Sequence, residues 1–100
     1  MSDRYPCIAT YILASRPFGV LYVGVTNDLP RRVFEHRERQ IPGFSRDHHC
    51  HMLAWYEVHD LMAEAIVRER RIKRWRRAWK FQLIEQMNPD WQDLYPTLNQ

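Results

Sequence analysis

Apolar positions fall into short runs along this chain, and each run has its own period. Residues 5–14 (YPCIATYILA) are rich in β-branched and aromatic side chains and read as a strand. Residues 15–19 (SRPFG) hold Pro17 and Gly19, the breakers of a turn. Residues 20–25 (VLYVGV) return to strand character, so the two runs form a hairpin. Thr26, Asn27 and Asp28 then offer capping oxygens, and Pro30 suits a first helical turn, where its missing N–H costs little. A helix is expected from there to about Gln40, with Arg32 and His36 one turn apart on a shared face.

Pro42, Gly43 and a polar run make residues 41–50 a loop. Residues 52–58 return to strand character with Leu53, Trp55 and Tyr56. Asp60 is placed to cap a helix over 61–75, and a further helix over 78–87 stops before Asn88-Pro89. The tail, 90–100, carries Trp91, Leu94 and Tyr95 and is expected to pack back as a short turn. The order β-β-α-β-α-α is that of an α+β fold, a small antiparallel sheet flanked by helices.

One hundred residues suit one domain over 1–100, and a hydrophobic share of 45% lets it fold without staples. Two cysteines, Cys7 and Cys50, make no disulfide framework. With no signal-peptide pattern, a reducing cytoplasm is the expected location. No apolar run approaches membrane-spanning length, so no membrane partner is expected. Net charge is only +3, yet eight of the 15 lysines and arginines lie within residues 66–80, beside a single acid, Glu69. Such clustering marks a surface for nucleic acid, with a merely solvated helix face as the alternative.

Helical arithmetic places Glu69. At about 100° per residue, Leu61, Ala65, Ile72 and Trp79 form one stripe, and Glu69 points with it, toward the body of the protein. Arg70, Arg74 and Arg77 point away. An inward carboxylate needs a partner or a metal, and a salt bridge to a neighbouring arginine is the plain structural alternative. Tyr11 and Tyr22 fall on the two hairpin strands, where a cross-strand aromatic pair would also account for them. Even so, phosphodiester cleavage needs a base, a cation for the phosphate and a metal, and Tyr, Arg or His, and Glu can fill those roles. The run His48-His49-Cys50-His51 matches no structural zinc spacing, because adjacent residues cannot all face one ion.

These residues together resemble the GIY-YIG nuclease superfamily. The matching segments are Ala9-Thr10-Tyr11, Tyr22-Val23-Gly24, the run from Thr26 to His36, and Glu69 within residues 65–73 (AIVRERRIK). Residues 80–94 look like the small stand-alone bacterial members, the URI-domain predicted endonucleases. The resemblance covers about residues 5–95. It implies a three-stranded antiparallel sheet flanked by helices and one-metal hydrolysis of DNA phosphodiesters. On that resemblance Glu69 would bind one Mg²⁺ or Mn²⁺, and Tyr11 would act as base or orient the attacking water. Arg32 would stabilise the phosphate, while Tyr22 and His36 would hydrogen-bond water, phosphate or leaving group. Gly24 would let its strand pass close to the site, and Asn88 would support it. The sequence departs from the family at Ala9-Thr10, where the name has Gly-Ile, and at Asp47-His48, where a basic-aromatic pair is usual.

The leading functional expectation is a metal-dependent DNA endonuclease acting on branched, nicked or single-stranded DNA. Arg31, Arg70, Lys73, Arg74 and Arg77 are its phosphate-contact candidates. A nucleic-acid-binding module with little turnover, and an interaction domain using Trp75, Trp79 and Trp91 with a protein partner or a second copy, are the alternatives.

Overall fold

The computed structural model describes residues 7–99. The chain forms β1 (Ala9–Ala14), β2 (Leu21–Thr26), α1 (Leu29–Arg37), α2 (Phe44–Asp47), β3 (Met52–Val58), α3 (Met62–Lys73) and α4 (Arg77–Met87), then a 3₁₀ turn, Tyr95–Asn99. The strands make one antiparallel sheet, as the β-β-α-β-α-α pattern suggests, in the order β2-β1-β3. Residues 5 and 6 of the expected first strand lie outside the described residues.

β1 is the central strand, and all six of its residues are buried. Strand alternation divides them. Ile12 and Ala14 pack with Val23, Trp55, Ile72, Ile84 and Trp91 on one face. Ala9, Tyr11 and Leu13 pack with Leu29, Val33, Cys50 and Leu53 on the other. A bulge opposite Ile12 and Leu13 inserts Ala54 into β3. It puts Ala54 and Trp55 together in the first cluster while Leu53 serves the second. Thr10 needs a polar partner on the first face and donates to the Ala65 carbonyl at 2.8 Å, which fastens α3 to the sheet.

The entry to α1 follows the residues: Asp28 is the N-cap and accepts from the Arg31 N–H, with Pro30 in the first turn. Three local expectations are corrected. Asp60 does not cap α3; Leu61 holds the N-cap position in extended geometry, with no side-chain bond to the helix. The loop 41–50 contains a helical turn, α2, that the pattern missed, because four residues are too few to show a period. The apolar stripe of α3 keeps Ala65 and Ile72 buried but loses both ends: Leu61 is 60% and Trp79 48% exposed. The chain leaves the helix after Lys73 and starts α4 at Arg77, so the arithmetic that aligned Trp79 with α3 ends at the break.

The tail packs back on β3. Asp93 accepts from the Leu53 N–H at 3.1 Å and ion-pairs with Arg37, and Leu94 N–H donates to the Leu53 carbonyl. Asn88, buried at the end of α4, donates to the Ala54 and Gln92 carbonyls and accepts from the Gln92 N–H. Its amide therefore joins helix, strand and tail. Asn88→Ala leaves these buried groups unpaired and is expected to cost about 2–3 kcal/mol. Urea unfolding measures this, and a change below about 0.5 kcal/mol would refute the tie.

Candidate active site

The site is built around a phenol shielded almost entirely from bulk solvent. Tyr11 is 2% exposed, and its Oη lies 3.0 Å from His36 Nε2. His36 Nδ1 in turn lies 2.7 Å from Ser45 Oγ. His36 is 4% and Ser45 5% exposed, so each polar atom depends on the next one in the chain. Three elements supply it: β1, α1 and the overlooked α2.

Gly24 makes room for this arrangement. It stands opposite Tyr11 in the β1–β2 register. A methyl group at Gly24 would meet Tyr11 Oη and Cζ at 2.5 Å. Tyr22, two residues earlier on β2, turns its ring to the same place. Its centroid is 6.3 Å from that of Tyr11 and 5.3 Å from that of His36, with Phe44 of α2 stacked beyond at 6.4 Å.

Burial dominates the electrostatics. It pushes the Tyr11 phenol well above its ordinary value of 10.0; the neighbouring Tyr22 adds to the rise, as do Glu69 and Glu35, and Arg32 opposes it. Burial, reinforced by the Arg32 charge, lowers His36 to about 4. The imidazole is therefore neutral at pH 7 and carries one N–H. With that proton on Nδ1, donated to Ser45 Oγ, the Nε2 lone pair accepts the Tyr11 hydroxyl; the tautomer is assigned from the network.

Arg32 sits beside this core with its side chain 42% exposed and a loose 3.8 Å contact to Glu35, which also meets the more exposed Arg31 at 3.4 Å. Such surface pairs are weak, so both guanidiniums can turn to a phosphate. Glu69, on α3 with its side chain 14% exposed, lies near enough for its charge to act on Tyr11. Its Oε2 lies 3.0 Å from Lys73 Nζ, so the neighbour that pairs with it is a lysine one turn on.

The basic residues are divided in use. Arg70, Arg71 and Arg74 line an open groove with Trp75. Arg77 does not join them: its guanidinium donates to the Phe18 and Gly19 carbonyls of the β1–β2 turn and lies over the Phe81 ring. Arg68 is tied to Glu57 at 3.0 Å between Trp55 and Trp75. Asn88 serves the tail.

No group of three or more His, Cys, Asp and Glu side chains gathers to hold a metal among the described residues. One carboxylate in reach of solvent fits only a hard dication that keeps most of its waters and takes phosphate oxygens as further ligands, the habit of Mg²⁺. Cys7 and Cys50 are free thiols, and the buried Cys50 Sγ faces the Val20 carbonyl.

Ser45 is the residue that sequence reasoning missed. Its signal is faint: Gly43 at φ 121° admits a turn that carries Ser45 inward. No helix of the described residues is long and apolar enough to cross a membrane. The family model of the GIY-YIG catalytic domain matches residues 7–82. Neither a curated protein nor a solved structure matches the chain.

Two outcomes follow from this geometry. Gly24→Ala is expected to push the Tyr11 ring off His36 and cost about 1–3 kcal/mol; chemical denaturation together with the His36 ring resonances in NMR measures both, and an unshifted His36 would refute the contact. Because His36 titrates lower in the folded chain than when unfolded, the unfolded state binds the extra proton, and stability is lost as pH falls from about 6.5 toward 4. The loss between pH 7 and pH 5 should be about 2 kcal/mol and should vanish in His36→Gln; equal losses in both proteins would assign it elsewhere.

Proposed function

Because the chain belongs to the GIY-YIG catalytic-domain family, whose members are nucleases, we propose that it is a single-domain, divalent-metal-dependent endonuclease that hydrolyses DNA phosphodiesters with weak or structure-directed specificity. The observation that carries this reading is the buried chain from Tyr11 through His36 to Ser45, beside Arg32 and Glu69. Proton transfer needs a donor and acceptor in contact, and this chain offers both, shielded from bulk solvent.

Tyr11 orients the attacking water and takes its proton. The phenolate is disfavoured by burial, so the Tyr11 proton moves to His36 Nε2 as the new one arrives. The imidazolium, disfavoured by burial and Arg32, returns a proton through Tyr11 to solvent once the ester bond has broken. Ser45 holds His36 in the receiving tautomer. The water oxygen forms its bond to phosphorus while the ester P–O bond breaks and the leaving oxygen takes a proton from solvent. Arg32 turns from Glu35 to the phosphate and stabilises its added charge. Tyr22, half-buried against His36, is the second hydroxyl at hand and shares the water-positioning role. Glu69 would hold one Mg²⁺ or Mn²⁺, which would free Lys73 for the DNA backbone. When bound, that ion polarises the phosphate and neutralises charge on the leaving oxygen. Arg31, Arg70 and Arg74 give phosphate affinity without base readout. Two free thiols, one of them buried, suit a reducing cytoplasm.

A second reading, a nucleic-acid-binding module with little turnover, draws on the Lys73–Glu69 pair, which satisfies the carboxylate without a metal. One experiment separates the two. Supercoiled plasmid and a branched oligonucleotide are incubated with Mg²⁺ or Mn²⁺ and wild type, Glu69→Gln or Tyr11→Phe. Tyr11→Phe is expected to lower the rate by about 10²- to 10⁴-fold, and Glu69→Gln to bring it to background. Retained DNA binding without cleavage by wild type would instead favour the module.

A further inference from the structure

α3 and α4 meet at an elbow that the reaction does not use. A groove of about 400 Å³ lies there, lined by Arg68, Trp75, Trp79, Gln82, Leu83 and Gln86. Trp79 is 48% exposed and belongs to neither hydrophobic cluster. It is nonetheless held in one attitude, with Trp75 edge-on at 6.2 Å and the Arg76 guanidinium 5.7 Å from its centroid. Gln82 and Gln86, one helical turn apart on α4, bring amides to the same groove.

Trp75 also lines the neighbouring groove, of about 380 Å³, with Arg70, Arg71 and Arg74. Among the described residues no carboxylate pairs with these three arginines. Unneutralised cations thus lead directly into an aromatic slot flanked by amides. That combination matches one ligand chemistry: a phosphodiester backbone whose bases are free to stack. A duplex keeps its base faces covered and has nothing to offer Trp79.

We propose that the α3–α4 elbow is a binding site for single-stranded DNA, with the backbone on Arg70, Arg71 and Arg74, a base stacked on Trp79, and the Gln82 and Gln86 amides at its edge. This rests on the nuclease reading and deepens it by naming the substrate feature: an unpaired strand. It is tested by binding alone, so it stands or fails independently of turnover.

The experiment is fluorescence anisotropy with the full chain and EDTA, using labelled oligothymidylate, the same oligomer with abasic sites in place of its bases, an oligouridylate and a blunt duplex. Wild type should prefer oligothymidylate to the abasic strand by about 5- to 150-fold, the range that one base stacked on one aromatic ring supplies. Trp79→Ala should erase that preference and leave duplex affinity within about twofold, while Trp79→Phe should restore most of it. Because Trp79 lies outside the core, circular dichroism is expected to show both variants folded. Equal binding of thymidylate and abasic strands by wild type would overturn the stacking site and leave the groove to a protein partner. A loss in Trp79→Ala shared equally by the duplex would overturn it too, and tighter binding of oligouridylate would reassign it to RNA.

Discussion

The structure depends on one buried phenol. Tyr11 stands on the central strand with both faces of the sheet covered, so its hydroxyl must find a protein partner. That demand sets its surroundings in turn. The opposite position on β2 must lack a side chain, and Gly24 occupies it. α1 must present an imidazole at 3.0 Å, and the second ring nitrogen must then be met by α2 through Ser45. A helix of four residues, otherwise an incidental turn, is fixed by its place at the end of this chain.

The same burial sets the chemistry. It raises the phenol and lowers the imidazole, leaving both neutral at pH 7. A proton passed from Tyr11 to His36 charges the imidazole, and burial with the Arg32 charge favours its prompt return. Charge is kept outside this core: Arg32 in front of it, and Glu69 on α3 with Lys73 as its counter-ion.

The cations are sorted by the tertiary structure. Eight basic residues crowd positions 66–80, and six of them divide into three kinds of work. Arg68 and Arg77 tie elements together, Lys73 balances Glu69, and Arg70, Arg71 and Arg74 remain open to an anion. The division follows from the break between α3 and α4, which turns part of a helical charge run toward the β1–β2 turn.

The residues themselves determined the three strands, their antiparallel sheet and most helix positions, because period and breakers are local properties. Tyr11, Tyr22, Arg32, His36 and Glu69 were marked by their order along segments that resemble the GIY-YIG family, since each alone is an ordinary residue of its element. The inward tilt of Glu69 followed from helical spacing, and burial agrees, at 14% side-chain exposure. Local spacing carried no sign of Ser45, because a single turn has no period and its contact with His36 spans nine residues of sequence through space. It likewise gave Arg77 to solvent and Trp79 to the core, since a helix break redirects every later side chain at once. Which polar group is buried, and against what, was decided only when the elements packed, because desolvation depends on neighbours brought together from distant parts of the chain.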